Sequence, residues 1–530
     1  MTATDFGSEF GSEFGSIRSR TLIGVRGVAV DVEAQLLNGL PKFTIVGLPE
    51  TAVRESRDRI RGALKASGID FPQRAIVINL APADLPKQGG RFDLPIALAI
   101  LLAMGHLDAA RCDAFEFIGE LSLAGRLRAV DGALPTAMSV TATEAATESF
   151  GDSNNPLQSR SRLVLPADSA VEAALCETCD VYPASTLVEI IAGLSGTGKL
   201  APLHVDLPDK TFGSHTQAPD LADVKGQLPA RRALEIACAG RHNLLLVGPP
   251  GTGKSMLATR AAGLLPTMTL REASETASIQ SISQQGFQMC NWRVRPVRSP
   301  HHTSSGIALV GGGNKPRPGE ISLAHNGILF LDELAEFPRA VLDVLREPLE
   351  AGRVTISRAG RSADFPARFQ LIAAMNPCPC GHAGDPQIAC RCSEEQVRRY
   401  LSRLSGPFLD RIDMQVGVPR LAVSTLAKAA AGESSALIAK RVATAATIQF
   451  KRQGHSNAAL AGRSLDEVCA LDSEAEQTLT RATDKLNLSL RAHHRVIRVA
   501  RTIADLEGSE PVSATHILEA VSYRRSSLLD

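Results

Sequence analysis

Up to residue 200, short apolar or alternating runs are separated by polar turn residues. Such runs predict β-strands, whereas longer apolar stretches with helical spacing predict helices. The predicted strands are Leu22–Val30, Phe43–Val46, Ala75–Leu80 and Leu163–Leu165, and the predicted helices are Pro95–Ala103 and Ala170–Ala174. The Ser- and Asn-rich segment Thr147–Ser161 predicts an exposed loop. We therefore expect residues 17–200 to form a mixed α+β domain.

The pattern changes after Ala201–Pro219, a segment containing Pro, His and Asp that predicts a linker. Three largely apolar runs then alternate with helical runs, as in a parallel sheet that is buried on both faces. These runs are Asn243–Val247, Ile328–Leu331 and Phe369–Ala374, and a helix is predicted at Met256–Leu265. Beyond residue 425 the chain is rich in Ala and Leu at helical spacing. The prediction is a multidomain α/β protein with a core at 220–425 and a helical domain at 426–530.

The first residues look artificial. The tetrapeptide Gly-Ser-Glu-Phe occurs at 7–10 and again at 11–14, and Gly15 and Ser16 begin a third copy. Tandem copies of this kind are typical of cloning scars. Residues 1–16 are therefore left out of the predicted fold.

Charge and composition narrow the functional classes. The 530 residues include 57 Lys and Arg against 56 Asp and Glu, a net charge of +1, so any nucleic-acid contact must come from local basic clusters. The longest apolar run, Leu94–Met104, is shorter than the ~20 residues that span a bilayer, and no export leader is recognisable. Ten cysteines in a chain of this length do not form a disulfide scaffold. We expect a cytoplasmic protein with no membrane partner.

The strongest motif is a phosphate-binding loop. Its residues are Gly248, Pro249, Pro250, Gly251, Thr252, Gly253, Lys254 and Ser255, which follow a predicted strand and precede a predicted helix. In such a loop the backbone N–H groups face the phosphates of ATP, Lys254 reaches the β and γ oxygens, and Ser255 offers its hydroxyl to Mg²⁺. A similar string at 193–200 ends in Lys199 and Leu200 without the hydroxyl, so it is interpreted as the glycine turn that ends a helix.

Two further strand ends complete a site for ATP hydrolysis. The run Ile328–Leu331 is followed by Asp332 and Glu333, one for the Mg²⁺ shell and one to polarise the attacking water. The next strand leads to Asn376, whose amide is suited to orient that water. Gly226 and Gln227, near the start of the core, are additional candidates for nucleotide binding.

Two closely spaced cysteine pairs follow Asn376. Cys378, Cys380, Cys390 and Cys392 enclose a loop too polar to pack a core, and a tetrahedral Zn²⁺ site would stabilise the insert at 376–393. Reduced thiols and disulfides are the alternatives, and His382 is a substitute ligand. No metal is assigned to Cys176 and Cys179.

The phosphate loop, the Asp-Glu strand and Asn376 together resemble the AAA+ superfamily. The strings at 299–302 (SPHH), 318–325 (PGEISLAH) and 405–413 (SGPFLDRID) resemble a narrower group, the magnesium-chelatase-like ATPases of the YifB/ComM family. This resemblance implies a P-loop NTPase core with a helical C-terminal lid. It also implies that Arg411 is an arginine finger acting on a neighbouring subunit, that Arg491 is the second sensor, and that the protein is a homohexameric ring.

The resemblance extends to the N-terminal domain, which is similar to Lon-type protease and ribosomal S5 domains. A Lon-type protease needs a serine and a lysine. Arg91 occupies the serine position of that pattern and Leu134 the lysine position. The domain is therefore interpreted as a non-proteolytic module for assembly or substrate guidance.

Basic residues lie in the insert between Lys254 and Asp332. Arg295, Lys315 and Arg317, the last two beside a run of three glycines, suit a loop that grips a phosphate backbone; a solvated surface loop is the alternative. Aromatic residues make up only 4% of the chain, so backbone tracking is favoured over base stacking.

Two functions remain at this point. The first is an ATP-driven hexameric motor on single-stranded or branched DNA, with recombinase-coated DNA as a further candidate partner; the resemblance implies branch migration in homologous recombination during natural transformation. The second is a chelatase-type or chaperone-like ATPase that remodels a protein partner.

Overall fold

The computed structural model separates into two units. The structure describes residues 13–50, 53, 55–87, 89–147, 161–205, 219–313, 316–358, 361–422, 424 and 432–524. The first unit contains the described residues up to 205 together with 277–289 and 362–364, and the second contains the others. Two short segments within 220–425 thus belong in space to the first unit.

The first unit is built on a four-stranded sheet. The strands of the whole unit are β1 Phe14–Ile23, β2 Arg26–Leu37, β3 Lys42–Val46, β4 Ala75–Ala81, β5 Glu116–Phe117, β6 Glu120–Leu121, β7 Leu127–Arg128, β8 Ser161–Pro166 and β9 Cys179–Ala184. Its helices are α1 Ser56–Ala66, α2 Asp93–Ala103, α3 Ala109–Cys112, α4 Ala133–Thr147, α5 Ala167–Ala173 and α6 Leu187–Ser195. The order β1-β2-β4-β3 forms the large sheet, and β5, β8 and β9 form a parallel sheet. Helix α2 is buried along almost its whole length because every residue from Asp93 to Ala103 except Leu102 is inaccessible.

Several predicted elements of this unit are confirmed and two are corrected. The strand predicted at Leu22–Val30 spans a turn between β1 and β2, because β1 pairs antiparallel with β2 from Phe14 opposite Gln35 to Ile23 opposite Arg26. Strand β1 also includes three residues of the excluded segment 1–16. A Cβ at Gly15 would lie 2.4 Å from the carbonyl oxygen of Ala99, so this strand packs directly on helix α2.

The second unit contains a five-stranded parallel sheet. The strands described in this part of the chain are β10 Leu244–Val247, β11 Val297–Arg298, β12 Gly311–Gly312, β13 Arg317–Pro318, β14 Ile328–Leu331, β15 Arg353–Arg358, β16 Arg361–Pro366, β17 Gln370–Met375 and β18 Met414–Gly417. The sheet has the order β11-β14-β17-β10-β18, and all its neighbouring pairs are parallel. Every residue of β10, β14 and β17 is buried, which explains why these runs are apolar throughout.

Helices flank this sheet and make up the C-terminal part. They are α7 Leu228–Gly240, α8 Lys254–Arg260, α9 Leu270–Ser281, α10 Gly306–Val310, α11 Glu320–Leu323, α12 Arg339–Val344, α13 Arg346–Ala351, α14 Glu394–Leu401, α15 Gly406–Leu409, α16 Ser435–Gln453, α17 Arg463–Val468, α18 Ser473–Lys485, α19 Leu490–Glu507 and α20 Ala514–Ser522. Helices α16 and α19 pack on α7, so one apolar core joins the C-terminal helices to the sheet. None of the helices that the structure describes has both the length and the apolar character needed to cross a membrane.

The expected α/β architecture with a helical C-terminal region is confirmed. The helix predicted at Met256–Leu265 is shorter, because α8 ends at Arg260 and a 3₁₀ turn, Ala261–Leu264, follows. The glycine turn predicted at 193–200 is also confirmed. Helix α6 ends at Gly196, which has a left-handed φ of 80°. The Lon-like and S5-like character of the first unit stays a prediction.

Candidate nucleotide-hydrolysis site

Three parallel strands deliver the predicted site residues to one edge of the sheet. Strand β17 lies between β14 and β10, and all three run in the same direction. The residues that follow them, Asp332, Asn376 and Gly248, therefore emerge side by side. The carboxyl edge of a parallel sheet is where ligands bind in open α/β folds.

The phosphate loop encloses the ammonium group of Lys254. Its Nζ donates to the carbonyl oxygens of Gly248 at 2.6 Å and Pro249 at 2.8 Å, and to Oδ1 of Asn376 at 3.1 Å. Burial lowers the pKa of Lys254 to about 8, an effect that the nearby Asp332 opposes. The loop turns through Gly251 and Gly253, whose φ angles of 76° and 93° lie in the left-handed region that disfavours larger residues. Lys254 therefore joins the phosphate loop to Asn376 at the end of β17.

Ser255 and Asp332 form an oxygen pair beside this loop. Ser255 Oγ donates to Oδ2 of Asp332 at 2.6 Å, and the backbone N–H of Glu333 donates to the other carboxylate oxygen at 2.9 Å. Hydroxyl and carboxylate oxygens are the donors that Mg²⁺ takes from proteins in nucleotide sites. The two side chains therefore fit the predicted Mg²⁺ role.

Glu333 has a partner that the sequence reasoning missed. Nδ1 of His302 lies 3.0 Å from Oε2 of Glu333, and Glu333 itself adopts a left-handed φ of 52°. The ring of His302 also meets Phe337 edge-on at 6.4 Å between centroids. His302 was part of a family motif, but only the fold shows that this loop lies against the end of β14.

Gln227 reaches the phosphate loop from the start of helix α7. Its side-chain amide donates to the carbonyl oxygens of Thr252 at 3.3 Å and Pro419 at 2.7 Å, and the residue is buried. The adjacent Gly226 has a left-handed φ of 68° and lies against Leu421. Gln227 thus borders the phosphate loop, and the nucleotide contacts of Gly226 and Gln227 stay predictions.

Arg411 and Arg491 lie away from this loop and converge on one carboxylate. Arg411 is buried, and its guanidinium contacts Glu350 at 2.7 Å and donates to the carbonyl oxygen of Arg346 at 3.0 Å. Arg491 is mostly exposed and lies 3.6 Å from the same Glu350 oxygen. The carbonyl of Arg411 accepts from Asn243, the residue before β10, so Arg411 sits at the opposite edge of the sheet from the phosphate loop. The arrangement separates both arginines from the loop of their own chain.

The four predicted cysteines come together. Sγ of Cys378 lies 3.4 Å from that of Cys380 and 3.6 Å from that of Cys390, and all four sulfurs lie within 4.8 Å of one another. Backbone N–H groups also point at the sulfurs, as from Ala383 to Cys378 at 3.3 Å. The cluster is compatible with a structural zinc site, whereas His382 instead lies 3.1 Å from a carboxylate oxygen of Asp385.

The structure describes two of the three predicted DNA-contact residues, Arg295 and Arg317. Arg295 is buried, is ion-paired with Glu272 at 3.1 Å and donates to the carbonyl of Asn326 at 2.6 Å. Its guanidinium is thus engaged in contacts inside the unit, and the DNA contact of Arg295 stays a prediction. Arg317 is half-buried in the hairpin formed by β12 and β13, and Lys315 lies outside the described residues.

The two residues at the Lon-dyad positions are both internal to the first unit. Arg91 is buried and donates to the carbonyl oxygen of Asp131 at 2.6 Å, and Leu134 is fully inaccessible. Both side chains therefore lie in the interior of the first unit.

Comparisons with known proteins cover nearly the whole chain. Residues 220–426 match the family described as magnesium chelatase, subunit ChlI; residues 32–150 match subunit ChlI of Mg-chelatase, and residues 432–524 match its C-terminal family. The chain is 47% identical over 513 residues to the competence protein ComM of Haemophilus influenzae, covering 96% of this chain and 97% of that protein. It is also 47% identical over 510 residues to the YifB protein of Escherichia coli, covering 96% of each. The magnesium-chelatase 38 kDa subunit of Acidiphilium rubrum is 29% identical over 177 residues, 29% of this chain and 51% of that protein.

A phosphate loop, an acidic strand end and a polar sensor residue on a parallel sheet, together with the chelatase match across that sheet, define an ATPase of the AAA+ class. Membership of this class implies ATP as the nucleotide and Mg²⁺ as its metal. Identity along almost the full length then resolves the family. The chain belongs to the magnesium-chelatase-like YifB/ComM family.

Proposed function

We propose that this protein is an ATP-driven hexameric motor that moves along DNA and promotes branch migration in homologous recombination during natural transformation. The observation that carries the proposal is 47% identity, along nearly the whole of both chains, to a protein named for competence. The nucleotide site supports the energy source, because its loop, acidic pair and Asn376 are adjacent.

Each site residue has a defined task in this proposal. Lys254 moves from the loop carbonyls to the β and γ oxygens of ATP. Glu333 polarises the attacking water, and Asn376, already in contact with Lys254, orients it against the γ-phosphate. Ser255 and Asp332 hold Mg²⁺, which neutralises phosphate charge when it is bound. The cysteine cluster holds Zn²⁺, which fixes the backbone of the insert at 376–393.

The position of Arg411 supports the proposed ring. An arginine finger supplied in trans contributes about 10³ or more to the rate of hydrolysis, so activity depends on assembly. Arg411 and Arg491 share Glu350 and lie at the far edge of the sheet from the loop of their own chain. We infer that both arginines leave Glu350 and reach the γ-phosphate of a neighbouring subunit.

The experiment is an ATPase assay with linear, forked and four-way-junction DNA, run beside a native mass measurement. We expect branched DNA to stimulate turnover, the stimulation to fall steeply with salt as counterions compete, and hexamers to form with ATP. Glu333→Gln is the matched control, because it should bind ATP and assemble without hydrolysis. Turnover that ignores DNA at every salt concentration would instead favour the chelatase-type or chaperone-like function on a protein partner.

A further inference from the structure

The cysteine loop lies directly against the phosphate loop. Cys378 follows Asn376 by two positions, and Gly381 approaches so closely that a Cβ there would lie 2.7 Å from Cδ of Pro250 and 3.8 Å from Cγ of Asn376. The φ of Gly381 is 84°, so both the turn and the close approach require glycine. The backbone of the cysteine loop thus forms one wall of the nucleotide site.

A chain of polar contacts makes a second connection. Nε of Arg420 donates to Oδ2 of Asp385 at 3.0 Å, and its NH2 group donates to the carbonyl oxygen of Pro250 at 3.4 Å. The same Asp385 oxygen lies 3.1 Å from Nδ1 of His382, and the Asp385 side chain is solvent-inaccessible. Asp385 therefore ties the cysteine loop, through Arg420, to the middle of the phosphate loop.

No regular secondary structure holds this loop in place. Residues 376–393, all described, contain neither helix nor strand, and those from 386 to 391 are mostly exposed. A carboxylate in such a segment needs a fixed backbone to remain buried. Tetrahedral Zn²⁺ with Zn–S bonds of about 2.3 Å requires sulfurs about 3.8 Å apart. The separations of 3.4 and 3.6 Å around Cys380 are close to that spacing, and all four sulfurs lie within 4.8 Å of one another.

We propose that the four cysteines bind Zn²⁺ as a clamp on the ATP site, so that metal occupancy positions Pro250 and Asn376 for nucleotide through Gly381 and the Asp385–Arg420 pair. This inference rests on the proposed ATPase function and adds its control by a soft, tetrahedral divalent cation. It has a thermodynamic consequence. If bound zinc raises the affinity for nucleotide by some factor, bound nucleotide raises the affinity for zinc by the same factor.

The first test measures zinc and nucleotide binding in the full-length protein. Wild type should carry one zinc per chain by elemental analysis, and Cys390→Ser should lose most of it. The Kd for a fluorescent non-hydrolysable ATP analogue should then rise about fivefold or more. Cys290→Ser, an exposed cysteine outside the cluster, is the matched control and should change neither quantity. A zinc-free wild type, or a zinc-free Cys390→Ser variant with an unchanged Kd, would overturn the clamp.

The second test cuts the connection and leaves the ligands intact. Asp385→Asn should keep its zinc yet lose nucleotide affinity, because Arg420 loses its charged partner. In wild type the analogue should slow removal of zinc by a chelator, and this protection should shrink in Asp385→Asn. A merely structural metal gives no nucleotide protection, and that result would refute the coupling. None of these readouts needs DNA or a ring, so a failed motor hypothesis and a failed clamp are told apart.

Discussion

Two variants that are each inactive should restore activity when they are mixed. Lys254→Ala removes the ammonium group from the phosphate loop, and Arg411→Ala removes the candidate finger. If every pocket combines a loop from one subunit with Arg411 from the next, a mixed ring contains pockets in which both partners are intact. Each variant alone contains none.

The distances within one subunit exclude the alternative that Arg411 serves its own loop. The carbonyl of Arg411 is bonded to Asn243, which precedes β10, whereas Gly248 follows that strand. Five residue steps along a parallel strand cover about 16 Å at about 3.3 Å each. An extended arginine side chain reaches on the order of 7 Å. We therefore expect Arg411 to act only on the nucleotide of a neighbouring subunit.

The assay is phosphate release at fixed total protein and varied mixing ratio. In randomly mixed rings about one pocket in four is intact at equal amounts, and each such pocket recovers a factor of about 10³ or more over either variant alone. Activity should peak at equal amounts and vanish at both ends. A mixture that never exceeds its two components, while native mass spectrometry shows mixed rings, would refute the shared pocket. The control mixes Lys254→Ala with a variant lacking both residues, which should stay inactive.

Three further outcomes are expected. Glu333→Gln should retain ATP, with burst phosphate absent in a single-turnover assay; rapid release would contradict its role. His302→Ala should lower kcat about tenfold at an unchanged KM and an unchanged circular dichroism spectrum, because Glu333 loses the partner 3.0 Å away that orients it; a wild-type kcat would contradict this role. Burial lowers the pKa of His242 to about 4. The free energy of unfolding should therefore fall by up to about 3 kcal/mol as the pH is lowered from about 6.5 to 4. In urea titrations, His242→Gln should reduce this dependence on pH.

Much of the nucleotide site is predictable because it is built from local patterns. A buried strand followed by a glycine-rich turn and a helix places Lys254 and Ser255 without reference to the remaining chain. The same reasoning applies to Asp332 and Asn376, since parallel strands end at a common edge. The cysteine cluster was equally accessible from spacing, and the structure brings all four sulfurs together.

Residues whose surroundings the sequence did not predict show where local patterns fail. Arg295 was read from its basic neighbours as a DNA contact, but Glu272, distant in sequence, takes it into the interior. Residues 1–16 were left out of the predicted fold, yet Gly15 belongs to β1 and fits a gap against Ala99 that only a glycine fills. In both cases the partner that decides the role lies far along the chain.

The sequence by itself specifies the phosphate-binding chemistry, because the candidate site residues come shortly after a buried strand in the chain. Which groups face each other across longer separations depends on how the segments pack. Glu350 receives both Arg411 and Arg491, His302 meets Glu333, and Asp385 reaches the phosphate loop through Arg420. These pairings depend on how segments distant in sequence pack against each other, which is a property of the assembled fold.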